Sequence, residues 1–488
     1  MRRGISRRRL LESAGGLAAA AALTPSVPAA AQSAAPAAPG NITEQLARYM
    51  VAALTQTLPE PVVLAARHRL LDTLGAMVSG AKLKPGDLAV RYVREQGGTP
   101  EATVLATGGL RTTAINAAMA NGMFAHADET DDFEPVTKAH PGCAVLPAVL
   151  AMGERENRSG AEALHAFVLG YDLCCRFLMA LGPASVRATH RSAEGVSATM
   201  GAVAAAASLA RLDEINTRYA LSYAAQQVSG VWSWERDTEH VEKAFDFAGM
   251  GARNGVTAVA MVQAGMTGVA DVFDGEHNVL QAFSAQPSPA EMVADLGSRF
   301  YVTRSAIKVF SVGYPIQAPL DALLTLRRQN NLTADAVVRV VVRLPADGAA
   351  IVNDRTMPDV NLQYALAVAL LDGTLSFEDS HSYERMRDPR VLDVKRRIEL
   401  VADRALMDPA APRSARVELT LRDGRTLTQF TRFPPGTMEN PLDTDAVTRK
   451  VRELMVPVIG AARTGAAIDA VNRIESLASI RDLIAHVA

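Results

Sequence analysis

The chain is predicted to be mainly α-helical, a large all-helical domain with an inserted smaller α/β domain. Three observations predict this. Across residues 41–303 apolar side chains recur at helical spacing among many alanines. The character changes near Arg304: Val337 to Leu344 reads VVRVVVRL, β-branched and alternating, and Asp423-Gly424 separates two further strand-like runs. From about Asp443 the pattern turns helical again to the end. With 488 residues the chain is too long for one core. The expected division is 41–303 for the first part of the helical domain, 304–439 for the α/β domain and 440–488 for the return to the helical domain.

Residues 1–31 read as a twin-arginine-type signal peptide. Ser6-Arg7-Arg8-Arg9-Leu10-Leu11 is followed by a weakly apolar stretch from Ala14 to Leu23, and Ala29-Ala30-Ala31 offers small residues for cleavage after Ala31. The apolar stretch is too short for a permanent anchor, so the expected location is the periplasm, with no stable membrane anchor. Residues 32–40 form an Ala/Pro linker.

Asn41-Ile42-Thr43-Glu44 predicts a helix start, with Ile42, Leu46 and Met50 on one face. A second helix is expected after Pro59 and Pro61, carrying Val63, Leu64, Leu70, Leu71, Leu74 and Met77. Glu101 to Ala106 reads as extended, and Thr112 to Ala125 as helical. Further helices are expected near residues 145–152, 161–177, 195–209, 213–228 and 244–264. In the α/β part, strands are expected at Val337–Leu344, Ala415–Leu421 and Arg425–Phe430, with helices near 362–371 and 389–401 between them.

The formal net charge is −2, and the first 31 residues carry +4, which leaves −6 for the remainder. A mildly acidic chain without a basic tract argues against a nucleic-acid partner. Cys143, Cys174 and Cys175 are too few and too awkwardly spaced for a disulfide framework. Adjacent cysteines on a helix diverge, which suits buried thiols better than an iron–sulfur cluster.

One stretch carries the chemistry. Residues 126–148 pack Asp128, Glu129, Asp131, Asp132 and Glu134 together, then supply Lys138 and His140-Pro141-Gly142, with apolar helix on both sides. Carboxylates this close raise one another's pKa unless cations sit among them. The alternative is a solvated acidic loop capping the next helix. Three further pieces stand out. Thr189-His190-Arg191-Ser192 precedes an Ala-rich helix whose free N–H groups suit an anion. Lys243 and Lys308, in a chain that prefers Arg, lie at a helix start and at the expected domain junction; ordinary surface lysines are the alternative.

These residues resemble the MmgE/PrpD family, which includes 2-methylcitrate dehydratase and cis-aconitate decarboxylase. The resemblance runs from about Thr43 to Ile480. It rests on His126-Ala127-Asp128-Glu129-Thr130-Asp131-Asp132, on His140-Pro141-Gly142, on Gly170-Tyr171-Asp172, on Thr199-x-Gly201, on Lys243, Gln263 to Gly268 and Lys308, and on Gln363-Tyr364-Ala365 through Gly373. Their number and order are specific where each alone is weak. The resemblance implies a lyase without metal or other cofactor, its site between the two domains, and a homodimer. It implies a small di- or tricarboxylate substrate, deprotonated next to a carboxylate in the manner of a hydro-lyase. Glu129 and His140 are expected as the acid/base pair. Lys243, Lys308 and His190 would hold carboxylates, and Asp131 and Asp132 would orient the cations.

Some positions depart from the family pattern. Phe133 stands where a Thr is common, Val309-Phe310-Ser311 replaces Pro-Tyr-Pro, and Ala349, Ala350 and Ile351 lie where some members carry a Tyr. They remodel the polar lining and point away from 2-methylcitrate itself. Decarboxylation and epimerisation share the first step and stay open. Two other classes of protein share parts of this pattern. An exported carboxylate-binding protein is disfavoured by the presence of both Glu129 and His140. A metal-dependent hydratase is disfavoured because the cluster lacks calcium-loop and helical-zinc spacings.

Overall fold

A computed structural model describes residues 41–488; the signal segment and the linker expected at 1–40 lie outside the described residues. Helix α1 (Ile42–Ala52) starts where predicted, but Asn41 does not cap it. Its first N–H groups are bound instead by Asp274, whose carboxylate accepts from Ile42 and Thr43 at 2.8 and 2.9 Å. The acceptor supplies the negative charge a helix start favours, from a residue far along the chain. Helix α2 (Glu60–Gly80) follows, with Pro61 in its first turn. Helix α3 (Lys84–Gln96) and a two-stranded ribbon, β1 (Ala102–Thr103) with β2 (Arg111–Thr112), lead into α4 (Ala114–Ala125).

The centre of the larger core is built from α5 (Pro141–Arg155), α6 (Gly160–Leu181) and α7 (Ala193–Leu209), and every residue of α7 is buried. Small residues set the spacing. A Cβ on Gly201 would lie 2.9 Å from both the Gly170 carbonyl and Cys174 Cβ, so α6 and α7 touch backbone to backbone only because both positions are glycine. α6 is apolar and long enough to cross a bilayer, yet 89% of its apolar window is buried in the protein, as a core helix requires. The three cysteines are buried and free.

After α8 (Glu214–Ala225) the expected helix over 244–264 begins earlier, at Val241, and contains a π-helical turn at Phe245–Gly249 before α9 (Met250–Gln263). Such turns interrupt the regular ladder and occur often at functional positions. Helix α10 (Gln317–Gln329) precedes a four-stranded sheet of order β4-β3-β5-β6. The sheet comprises β3 (Val337–Pro345), β4 (Ile398–Asp403), β5 (Ala415–Leu421) and β6 (Thr426–Thr431). Strands β5 and β6 pair antiparallel across the Asp423-Gly424 turn, with Gly424 at φ 88°. Between β3 and β4 lie α11 (Leu362–Asp372) and α12 (Pro389–Lys395). The helix expected to reach residue 401 stops at Lys395. Ile398 onward pairs parallel with β3, Val340 opposite Ile398, because the edge of β3 offers unsatisfied backbone groups that local helix propensity cannot outweigh.

The chain closes with α13 (Thr444–Ile459) and α14 (Ala461–Asn472). One apolar core draws on residues between Ile42 and Ile307 and again from Val447 to Val487, while a second runs from Val312 to Leu421. Phe133, Ala306 and Tyr314 form a small apolar group of their own. The described residues, 41–488, belong to one compact unit.

Candidate active site

The acidic stretch is not a solvated loop. It connects α4 to α5, and His126, Asp128, Glu129, Asp131, Asp132, Glu134 and His140 are all buried. Its ends are fixed from outside. Ser79 donates to Asp128 Oδ2 at 2.5 Å, and Lys450 of α13 donates to Asp72 at 2.5 Å and to the Thr130 carbonyl at 3.0 Å. Asp132 Oδ1 accepts the Gly142 N–H at 2.9 Å and so caps α5. A Cβ on Gly142 would lie 2.5 to 2.7 Å from Thr73, Asp132 and Tyr171, which leaves room for glycine alone.

These anchors hold Glu129 in the left-handed region, φ 54°, a conformation that costs a non-glycine residue energy and recurs at functional sites. Side chains converge on it. Lys243 Nζ donates to Oε1, and the Nε2 atoms of His240 and His126 stand 3.5 and 3.8 Å from that same oxygen. Lys308 Nζ donates to the Glu129 carbonyl at 2.8 Å and to Oε2 at 3.3 Å. Both lysines are buried, Lys308 completely, so neither is a surface residue. Asp131 orients the rest: it pairs with His126 Nδ1 at 3.0 Å, with His140 Nδ1 at 2.9 Å and with Lys308 at 3.4 Å. Aromatic rings wall the group. Phe247 stacks on His126 at 4.2 Å and meets His140 edge-on at 5.2 Å, while Lys243 Nζ lies 5.3 Å from the Trp234 ring centre.

The electrostatics follow from burial and pairing. Burial alone would raise Asp131, but His126, Lys308 and His140 outweigh it and hold its carboxyl well below the usual range. Burial lowers His126 strongly, against the opposing pull of Asp131. Asp359 also resists burial: its hydrogen bond and charge interaction with His240, then His381 and Lys243, bring it down to about 2. Asp128 and Asp132 go the other way, both raised by burial to about 6. Burial lowers Lys243 to about 7, with Lys308 and Arg355 adding to the effect and Asp359 opposing it. The Glu129 carboxylate in contact with that ammonium works against its deprotonation.

Of the residues expected from sequence, Glu129, Asp131, His140, Lys243 and Lys308 come together. Asp132 lies in the same loop but caps α5 rather than touching the lysines. His190 does not join. It is exposed, in the left-handed region at φ 61°, and its carbonyl accepts from Trp232 at 3.0 Å. The start of α7, expected to receive an anion, is filled by the protein's own Asp246, hydrogen-bonded to the capping Ser192 at 2.5 Å. Sequence reasoning placed His126 at the head of the motif without giving it a role, and missed His240, Asp359 and His381. His240 Nδ1 pairs with Asp359 at 3.1 Å, and His381 Nε2 pairs with the Asp128 carbonyl at 3.0 Å. The three-residue spacing of His240 and Lys243 was an available signal, since it suits one helical face. Asp359 and His381 carry no local signature.

Two triads have donor geometry for a metal ion, His126–Asp131–His140 and His126–Glu129–His240. Their carboxylates already partner Lys243 and Lys308, so a divalent ion would have to displace ammonium groups from a buried site. The donor set fits acid–base chemistry on an anion better than metal coordination.

The chain is also similar in sequence to known proteins. The chain is 24% identical over 481 residues to a cis-aconitate decarboxylase-like protein of Aspergillus oryzae, covering 92% of this chain and 98% of the relative. It is 25% identical over 433 residues to the human cis-aconitate decarboxylase, covering 84% and 87%. It is 23% identical over 485 residues to the cis-aconitate decarboxylase of Aspergillus terreus, covering 93% and 97%. The MmgE/PrpD N-terminal domain matches residues 44–292 and the MmgE/PrpD C-terminal domain residues 310–475, and the chain is therefore a member of the MmgE/PrpD family.

Proposed function

We propose that this protein is a lyase acting on a small di- or tricarboxylate through proton transfer at a carbon next to a carboxylate, with decarboxylation as the favoured outcome. The observation that carries this reading is the convergence of Lys243, Lys308, His126 and His240 on Glu129, with His140 held on Asp131 alongside. A substrate carboxylate drawn to Lys243 meets preorganised cations, which stabilise charge as it develops on the neighbouring carbon. In decarboxylation the carbon–carbon bond to the departing carboxylate breaks, CO2 leaves, and the electron pair stays on the substrate, spread into an adjoining carboxylate or double bond. A proton from His140, held by Asp131, then completes the product. For dehydration, Glu129 would remove the proton and His140 would protonate the departing hydroxyl. The names of the similar fungal and human proteins support decarboxylation over dehydration. Phe133 packs edge-on to His140 at 5.2 Å, an apolar wall that supports a substrate with less hydroxyl character than a hydroxy acid. The test is a panel of di- and tricarboxylates, cis-aconitate among them, followed by ultraviolet absorbance and CO2 release with and without chelator. Turnover that survives chelator is expected; no turnover of any member would overturn the reading.

A further inference from the structure

A sealed centre still has to exchange protons with water. Decarboxylation leaves one proton in the product for each CO2 released, while Glu129 is 2% exposed and Lys308 is wholly buried. His240 stands at the boundary. Its Nδ1 faces Asp359 Oδ2 at 3.1 Å, and because a carboxylate only accepts, Nδ1 carries the hydrogen. That leaves Nε2 as the exchangeable position. Nε2 is buried, has no hydrogen-bond partner among the described residues and lies 3.5 Å from Glu129 Oε1. The dyad joins two parts of the fold, since His240 directly precedes the helical turn at Val241 and Asp359 lies between β3 and α11.

A cavity of about 90 Å³ borders this dyad, and Lys84, Glu239, His381 and Tyr383 also line it. Lys84, Glu239 and Tyr383 are exposed, so the cavity opens to solvent. Its size decides what it passes: there is room for a few water molecules, well below the roughly 300 Å³ at which pockets take small ligands. His381 is not free to exchange, because its Nδ1 and Nε2 are both held by carbonyls, Phe377 at 2.8 Å and Asp128 at 3.0 Å. His240 is the imidazole that touches both the cavity and the centre. Inward from Glu129 Oε1 a line of side chains continues. His126 Nε2 stands 3.8 Å from that oxygen, His126 Nδ1 meets Asp131 at 3.0 Å, and Asp131 holds His140 Nδ1 at 2.9 Å.

We propose that His240 is the proton relay between this centre and water, with Asp359 as the positioning residue that aims it. This rests on the decarboxylating lyase reading and deepens it. A proton from the water-filled cavity is taken up at His240 Nε2 and handed to Glu129 Oε1. The line through His126 and Asp131 then restores to His140 the proton it has given to the product. One proton enters for each CO2 that leaves, and no other reactant is needed.

Chemical rescue tests this on the full chain, with the polycarboxylate that the wild type turns over. His240 sits in the left-handed region at φ 62°, which glycine adopts freely, so His240→Gly should fold and leave an imidazole-sized hole beside the cavity. Its kcat should fall about 100-fold, the low end for losing an acid–base group, with KM within about 3-fold because His240 acts through Glu129. Added imidazole should recover at least about 10-fold of that loss. His240→Gln, whose side chain fills the hole, should lose as much and gain nothing from imidazole. Asp359→Asn, which no longer fixes the Nδ1 hydrogen, should lower kcat at least about 10-fold without raising KM. A folded, impaired His240→Gly protein that imidazole does not rescue would overturn the relay, since that marks a structural role. So would kcat within about 3-fold of wild type in either folded His240 variant. Both results leave the lyase reading intact. A wild type that turns over no polycarboxylate overturns that reading and the relay with it.

Discussion

Lys308→Met removes the most completely buried cation of the site and should be costly to stability as well as to activity. The ammonium is fully excluded from solvent and satisfies the Glu129 carbonyl at 2.8 Å, Glu129 Oε2 at 3.3 Å and Asp131 Oδ1 at 3.4 Å. Methionine matches its length but offers no donor. One backbone acceptor and two carboxylates then lose a partner in a place water does not reach. Breaking a buried ion pair in this way costs about 3–5 kcal/mol. Because Lys243 still holds Glu129, and His126 and His140 still hold Asp131, the lower end, about 3 kcal/mol, is expected. Urea unfolding followed by circular dichroism reads this as a lower midpoint with an unchanged slope. Adding Asp131→Asn should recover part of the loss, since the orphaned charge is then gone, and the double-mutant cycle should show coupling above about 1 kcal/mol. A Lys308→Met protein within about 0.5 kcal/mol of wild type would refute the reasoning, for that is how a solvated surface lysine behaves.

Lys243→Met should raise KM for the substrate together with any loss in kcat, because it removes a partner for the substrate carboxylate; steady-state kinetics with unchanged KM would contradict that role. Asp359 is held at about 2 against an ordinary 3.8, so it contributes about 2 kcal/mol that is present above pH 4 and lost as pH falls toward 2. Asp359→Asn should therefore destabilise the protein at pH 6, with the gap to wild type closing by roughly half at pH 3 in urea titrations; a gap independent of pH would count against the His240 pairing. Changing Arg7 and Arg8 to Lys should keep the precursor in the cytoplasm on cell fractionation, and unchanged periplasmic protein would sink the export proposal.

What could be read from the chain in advance was local. Five carboxylates between Asp128 and Glu134 announce themselves because their repulsion demands cations, and Lys243 and Lys308 were conspicuous among arginines. The strand at Val337 and the Asp423-Gly424 hairpin were legible because alternation and turn chemistry act over a few residues. What escaped depends on partners distant in sequence. Asp274 caps α1 from more than 200 positions away, and β4 exists because β3 offers it an edge. Asp359 and His381 reach the site only through the packing of residues 346–381 against His240 and the acidic loop. His190 misled for a local reason: Ser192 caps α7 and the preceding turn directs His190 outward.

The most direct test of the central claim, that the Glu129–Lys243–Lys308–His140 cluster is the catalytic centre, is turnover of the polycarboxylate processed by the wild type in Glu129→Gln and His140→Asn proteins. Each should lose roughly two to four orders of magnitude in kcat, the usual contribution of general acid–base catalysis, with circular dichroism unchanged. Full activity in either folded variant would contradict the account.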